Sequence, residues 1–202
     1  MSKQNIVIIK YNAGNIRSVN NALLRLGYEA EITADADKIH AADKVIFPGV
    51  GEASTTMKYL NETGIGHIIK ELKQPVLGIC LGMQLMCSHS DEGDVSCLNL
   101  FDEKVRRFEL PLPNPENLKV PQMGWNQIFD LRSDIFDPSL EGQYVYFVHS
   151  YYVAKGADTA ATTNYILPYS SALQRDNFFA TQFHPEKSGP VGEKILKNFL
   201  LL

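Results

Sequence analysis

The sequence predicts an α/β fold: a central, mostly parallel sheet with helices on both faces and antiparallel strands added in the second half. Two observations lead there. Across the first half, short unbroken apolar runs alternate with stretches of helical periodicity, the pattern of strands buried on both faces. From Lys104 onward, short strand candidates follow one another around a proline-rich loop.

The first strand is Ile6-Val7-Ile8-Ile9. Ile16, Val19, Leu23 and Leu26 then recur at helical spacing, and Gly27 supplies a C-terminal stop. A second strand is expected at Tyr28–Ile32 and a third at Lys44–Phe47, ended by Pro48-Gly49. Helical stretches follow at Ser54–Leu60 and Ile65–Leu72, then a buried strand at Val76–Ile79 and a helix at Leu81–Cys87. The second half offers strands at Lys104–Phe108, Trp125–Phe129 and Tyr144–Val148. Further candidates are Tyr151–Ala154, Ala172–Arg175 and Phe178–Phe183, and such segments are expected to pair as hairpins. A helix at Val191–Leu201 closes the chain on an apolar face of Ile195, Leu196, Phe199 and Leu200. No internal repeat or linker divides the sequence, so residues 1–202 are expected to form one domain, a doubly wound, flavodoxin-like sandwich.

Composition excludes several function classes. A net charge of −4, with no basic run longer than Arg106-Arg107, does not suit a phosphate-backbone binder, so no nucleic-acid partner is expected. Cys80, Cys87 and Cys97 are odd in number and lack metal-ligand spacing, which fits neither a disulfide framework nor a zinc site. The Ile6–Ile9 run is too short for a signal peptide or a membrane span. A soluble, cytoplasmic protein with no membrane partner is the expectation.

In a parallel sheet, reactive groups gather beyond the carboxyl ends of the strands. Two strand ends carry unusual chemistry, Phe47-Pro48-Gly49-Val50-Gly51 and Gly78-Ile79-Cys80-Leu81-Gly82. Cys80 sits in G-x-C-x-G between an apolar strand and a helix, where a sharp turn lifts the side chain above the sheet. A helix N-terminus beneath the sulfur favours the thiolate, and the Leu81 N–H is available to an oxyanion formed beside it. Most free cysteines are small buried hydrophobes, and Cys87 and Cys97, which have no such setting, are read that way.

The strand candidate Phe178–Phe183 runs into His184-Pro185-Glu186, and Pro185 cannot extend a ladder. His184 is therefore displayed at a strand end with a carboxylate two residues later, a base oriented by Glu186 on its other nitrogen. Taken alone, H-P-E is an ordinary surface pair. Beside an elbow cysteine it becomes the base of a nucleophilic site. His40, His67 and His89 read as surface residues, and His149 as a residue lining the cleft without being the base.

Gly78-Ile79-Cys80-Leu81-Gly82-Met83-Gln84 together with Phe183-His184-Pro185-Glu186 strongly resembles the triad-type (class I) glutamine amidotransferases. Further segments narrow the resemblance: Tyr11-Asn12-Ala13-Gly14-Asn15, Pro48-Gly49-Val50-Gly51, Pro121-Gln122-Met123-Gly124-Trp125-Asn126 and Tyr146-Phe147-Val148-His149-Ser150-Tyr151. With His184-Pro185-Glu186-Lys187-Ser188 the ordered set is similar, from end to end, to the subfamily of glutaminase subunits of imidazole glycerol phosphate synthase. That resemblance implies Cys80 as nucleophile, His184 as base and Glu186 as its orienter. It implies Gly49, Val50 and Gly51 as a mobile oxyanion strand, with Leu81 giving a second donor. Gln84, Glu92 and the Ser150-Tyr151 backbone would hold the amino-acid part of glutamine, and a carboxylate such as Glu92 suits an α-ammonium group.

Two positions depart from the pattern. Relatives often read D-Y-G-x-G-N where this chain has Lys10, Tyr11 and Asn12, and often place His where this chain has Gln122. Neither belongs to the triad, and both are expected at the partner interface.

The reaction implied is hydrolysis of glutamine to glutamate and ammonia through a Cys80 thioester, with no metal or organic cofactor. The length leaves no room for an acceptor site, so the acceptor is expected on another polypeptide. The resemblance implies a (β/α)8-barrel cyclase subunit in a heterodimer. It makes imidazole glycerol phosphate and an aminoimidazole-carboxamide ribonucleotide (AICAR) from a ribulosyl precursor (PRFAR). Rival readings are a glutaminase subunit for anthranilate, aminodeoxychorismate or pyridoxal phosphate synthesis, a non-catalytic regulatory subunit, and a cysteine peptidase or γ-glutamyl hydrolase.

Overall fold

The computed structural model describes residues 4–11 and 16–202. The predicted motif residues Asn12 to Asn15 lie outside them. The chain opens with β1 (Ile6–Ile9), α1 (Ile16–Arg25), β2 (Ala30–Thr33), α2 (Ala36–His40) and β3 (Lys44–Gly49). There follow α3 (Ala53–Glu62), α4 (Ile65–Glu71), β4 (Val76–Cys80) and α5 (Leu81–Met86). The next part is short strands: β5 (His89–Ser90), β6 (Val95–Ser96), β7 (Lys104–Arg107), β8 (Gln122–Gln127) and β9 (Tyr144–His149). Then come β10 (Tyr151–Val153), β11 (Thr159–Asn164), β12 (Pro168–Arg175), β13 (Phe178–Thr181) and the closing helix α6 (Gly189–Leu201).

One large sheet runs β2-β1-β3-β4-β13-β12-β10-β7-β5-β6, with β11 on β12. Its first five strands are parallel neighbours, and the added strands pair mostly antiparallel. Two of the strands expected in hairpins also pair in parallel, β7 with β5 and β13 with β4. Alternation along each strand divides the apolar residues between two cores. Val7, Ile9, Val45, Phe47 and Val76 pack with Met57, Leu60, Ile69 and Met83 on the α3–α5 side. Ile6, Ile8, Ile46, Leu77 and Ile79 face the α1–α6 side, against Val19, Leu23, Ile195 and Phe199. Burial on both faces is why these strands read as unbroken apolar runs.

Several elements differ from the expectations. Strand β8 begins at Gln122 rather than Trp125, because its partner β9 extends to His149 and sets the register Gln122↔His149. Strand β12 begins at Pro168, four residues early, where Tyr169 to Ala172 are held by β11. Helix α2 went unread because only Ile39 in it is buried, so no apolar stripe marks it; Asp35 caps its start. Strands β5, β6 and β11 carry small and polar residues whose pairing, not their apolarity, makes them strands.

The topology decides where the chemistry sits. Strand β13 arrives from the far end of the chain and inserts beside β4, in the register Thr181↔Ile79. The carboxyl ends of β3, β4 and β13 thus become neighbours. Strands β8 and β9 form a separate two-stranded sheet, and β9 carries Val148 and His149 to the same edge.

Candidate active site

Cys80 is both the last residue of β4 and the N-cap of α5, with φ 53° and ψ −108°. A side chain in that region is strained by about 1–3 kcal/mol. The flanking glycines serve close packing rather than unusual dihedrals. A Cβ on Gly82 would lie 2.0 Å from the Phe47 carbonyl oxygen, and one on Gly78 would lie 2.8 Å from the Met86 sulfur. The helix therefore starts pressed against β3 and β4, and Cys80 alone absorbs the turn. Helix α5 has only six residues, so what it offers the sulfur is the first-turn N–H of Leu81 rather than a long macrodipole. Cys87 and Cys97 are buried. Burial pushes the Cys87 thiol well up and the Cys97 thiol up to about 12.

His184 follows β13 directly, and its backbone is fixed on both sides. Its N–H donates to the Tyr146 carbonyl at 2.9 Å, and the Ser188 hydroxyl donates to its carbonyl at 2.6 Å. The Pro185–Lys187 turn brings Glu186 back so that its Oε1 meets His184 Nδ1 at 2.8 Å, with both side chains fully buried. A carboxylate can only accept, so Nδ1 carries the proton, and the ring borders the cavity together with Cys80. Burial alone would lower the His184 pKa. Hydrogen bonds and charge from Cys80 and Glu186 outweigh it and raise the value to about 10.

A cavity of about 250 Å³ opens in front of this pair. Of the predicted residues, Cys80, Leu81, Gln84, Glu92, Tyr151 and His184 border it, as do Val50 and Gly51. Gly49 lies within β3, opposite Cys80 in register. Ser150 does not border the cavity, and its carbonyl accepts the Phe108 N–H at 3.0 Å. Glu92 accepts the Ala53 N–H at 2.9 Å, and burial raises its pKa. Gln84 is buried and donates to the Tyr151 carbonyl at 3.2 Å and to Gln182 Oε1 at 3.0 Å.

The Pro48–Gly51 segment is held at both ends. The Tyr11 hydroxyl donates to the Pro48 carbonyl, and a Cβ on Gly49 would lie 2.6 Å from that hydroxyl oxygen. Gly51, at φ 124°, has open space around it and is the position that needs a glycine for its backbone. Immediately after it, Glu52 caps α3 by accepting the Ser54 and Thr55 N–H groups at 3.1 and 2.8 Å. Hydrogen bonds from the Ser54 and Thr55 side chains and backbone pull the Glu52 pKa down to about 2. Glu52→Ala is expected to cost about 1 kcal/mol, a cap-sized loss. Because the folded-state pKa is depressed, that contribution is present above pH 4.5 and fades as pH falls toward 2. Urea unfolding of both proteins at pH 7 and pH 2.5 checks this: the gap between them should shrink at low pH.

Sequence reasoning missed Gln182, Val148 and Tyr169. Gln182 is fully buried, and its Nε2 lies 3.8 Å from the Cys80 sulfur. The sulfur is 3.9 Å from the Val148 carbonyl. A glutamine closing the run Phe178–Phe183 was the available signal, since a buried amide needs partners. His149 borders the cavity as expected, with Nδ1 2.7 Å from the Tyr151 carbonyl, and burial pushes its pKa down to about 4. Gln122, expected at a partner interface, is instead buried, with Oε1 accepting from the Tyr169 hydroxyl at 3.0 Å. It stands behind His149 because the alternation of β8 turns it inward while Met123 faces out. Of the remaining histidines, His40 and His67 are exposed and His89 is half-buried.

A sequence profile described as glutamine amidotransferase class-I matches residues 7–202. The imidazole glycerol phosphate synthase subunit HisH of Bacteroides fragilis is 62% identical over 98% of this chain and 99% of its own. The subunit of the same name from Escherichia coli K12 is 43% identical over 97% of this chain and 98% of its own. Among solved structures, PurLQS from Thermotoga maritima superposes with a TM-score of 0.70 at 15% identity over 98% of both chains, a likeness of fold. With a profile matched along nearly its whole length and relatives this similar, the chain belongs to the class-I glutamine amidotransferases.

Proposed function

We propose that this chain is the glutaminase subunit of an imidazole glycerol phosphate synthase. It would act as one domain across residues 1–202 and release ammonia from glutamine for a cyclase partner. The observation that carries the chemistry is the elbow sulfur of Cys80 sharing one cavity with an imidazole whose Nδ1 is locked by a buried carboxylate. The pathway rests on the HisH relatives, which match end to end.

In this reading the Cys80 thiolate attacks the side-chain carbonyl carbon of glutamine. The carbonyl oxygen becomes an oxyanion, met by the Leu81 N–H and by N–H groups of the Gly49-Val50-Gly51 strand. His184 gives its proton to the departing nitrogen, so ammonia leaves and a glutamyl thioester remains. His184, now neutral, takes a proton from water. The hydroxide formed adds to the thioester, and glutamate leaves as the sulfur recovers its charge beside the imidazolium. Glu92 receives the α-ammonium of the substrate, with Gln84 and the Ser150-Tyr151 backbone completing the site. The Gln84 carbonyl is the atom for that task, because its amide hydrogens already go to protein acceptors.

Ammonia in neutral water is mostly protonated and loses its nucleophilicity, so it must pass directly to the acceptor site. Met123, Trp125 and Tyr144 form an exposed apolar face on the β8–β9 ribbon. That face continues to Val148 at the cavity and suits the partner, a (β/α)8-barrel cyclase converting PRFAR to imidazole glycerol phosphate and AICAR in the cytoplasm. Among the described residues, no helix is long and apolar enough to cross a membrane. The test is glutamate release by the chain alone, with the cyclase, and with cyclase plus its ribonucleotide. A rise at each addition is expected, by about two orders of magnitude if one oxyanion donor is completed. Full activity of the isolated chain would sink the coupling.

A further inference from the structure

We propose that Gln182 is a further catalytic residue, whose side-chain amide donates a hydrogen bond to the Cys80 sulfur and holds it as a thiolate aimed into the cavity. The inference rests on Cys80 being the nucleophile.

The polarity of the contact follows from a chain of hydrogen bonds with one fixed end. The Tyr151 backbone carbonyl can only accept, so the Gln84 group 3.2 Å from it is the amide nitrogen. That same nitrogen lies 3.0 Å from the Gln182 amide and must donate to it, so the Gln182 atom facing Gln84 is its oxygen. The Gln182 nitrogen is then turned toward the sulfur, 3.8 Å away, within reach of an N–H···S hydrogen bond. A flip of Gln182 would set donor against donor, and a flip of Gln84 would set its oxygen against two acceptors. The order is thus determined by the network rather than by the choice of atom at one side chain.

Gln182 is also held rigidly. It is fully buried, and its backbone N–H donates to the Ser171 carbonyl at 2.9 Å. An apolar side chain would fill the same space without requiring partners, so packing gives no reason for an amide here. A hydrogen bond to the sulfur does. Donation to the charged form favours that form. The donor also approaches the sulfur separately from His184, which restricts rotation about the Cys80 side chain. Gln84 acts through Gln182 as a positioning residue.

Alkylation of Cys80 by iodoacetamide across pH tests the idea on the chain bound to its partner, in a Cys87→Ala, Cys97→Ala background that leaves one thiol. Gln182→Glu keeps the shape but removes the donor, and Gln182→Met removes it without adding charge. Both are expected to slow alkylation at neutral pH about tenfold and to move the pH–rate curve to higher pH. Glutamate turnover should fall at least as far, with KM little changed. Gln84→Met should act in the same direction and more weakly. Alkylation rates and pH curves like those of the unsubstituted background in both Gln182 variants would overturn the proposal. Should neither variant fold, the unsubstituted background decides: the side-chain amide resonance of Gln182 must move as Cys80 is titrated, and a stationary resonance overturns the proposal. A Cys80 that alkylates no faster than a cysteine in a free peptide would overturn the nucleophile assignment itself, and Gln182 with it.

Discussion

Cys80→Ala is expected to lower glutamate release, measured with the partner present, by several orders of magnitude while leaving the fold and partner binding intact. No neighbouring group can replace the sulfur. Cys87 and Cys97 are buried, and their thiols are held in the neutral form by that burial. Cys87→Ala should therefore leave the rate within about twofold, acting only through a small cavity. The elbow adds a second readout that is independent of catalysis. At φ 53° and ψ −108° the strain belongs to any residue with a Cβ. Alanine at position 80 keeps that strain, whereas glycine releases it. Cys80→Gly should consequently be more stable than Cys80→Ala by about 1 kcal/mol or more, despite the entropy glycine adds to the unfolded chain. Thermal unfolding of the two variants gives the comparison. An alanine variant at least as stable as the glycine variant would show that the turn is not strained, and substantial turnover in either would remove Cys80 from the mechanism.

The parts of the fold legible in the sequence are those whose burial writes a pattern. Ile6–Ile9, Val45–Phe47 and Val76–Ile79 are buried on both faces and read as short apolar runs. Helix α6 shows its stripe through Ile195, Leu196, Phe199 and Leu200. Helix α2 and strands β5, β6 and β11 are defined by caps and pairing, which leave no periodic trace in one chain's sequence. The same division holds at the site. Cys80 and His184 stand out because glycines and a proline punctuate the strand ends that present them. The glutamine in the run Phe178–Phe183 was a signal only of a buried amide in need of partners, since the contact of Gln182 with Cys80 depends on β13 lying beside β4, a pairing between segments far apart in the chain. The settings of Ser150 and Gln122 were hidden for a related reason. Strand alternation, set by the β8–β9 register, turns Gln122 into the core, and Ser150 follows β9 with its carbonyl given to Phe108.

His184→Ala should be nearly as damaging as loss of Cys80, on the order of a 10⁵-fold fall in turnover, because one ring supplies both the proton for the leaving nitrogen and the base for water. Glu186→Gln keeps the ring in place but removes the buried charge that meets Nδ1 at 2.8 Å. Its loss should be about a hundredfold milder, following the ratio seen when base and orienter are removed separately. The two variants also separate through pH. Burial alone would lower the His184 pKa, but its interactions with Cys80 and with the accepting, negatively charged Glu186 raise it to about 10, above the ordinary 6.5. A raised folded-state value means that the imidazolium stabilises the fold fully below pH 6.5, and that this contribution is lost as pH climbs toward 10. Without the Glu186 charge the folded-state value falls, so the upper edge of that window should move down in Glu186→Gln. In His184→Ala the window should vanish. Melting temperature followed from pH 6 to pH 10 in the three proteins, with the imidazole resonance followed by NMR, measures both edges. A wild-type curve flat across that range, or equal and negligible activity losses at both positions, would show that His184 is not the group paired with the sulfur.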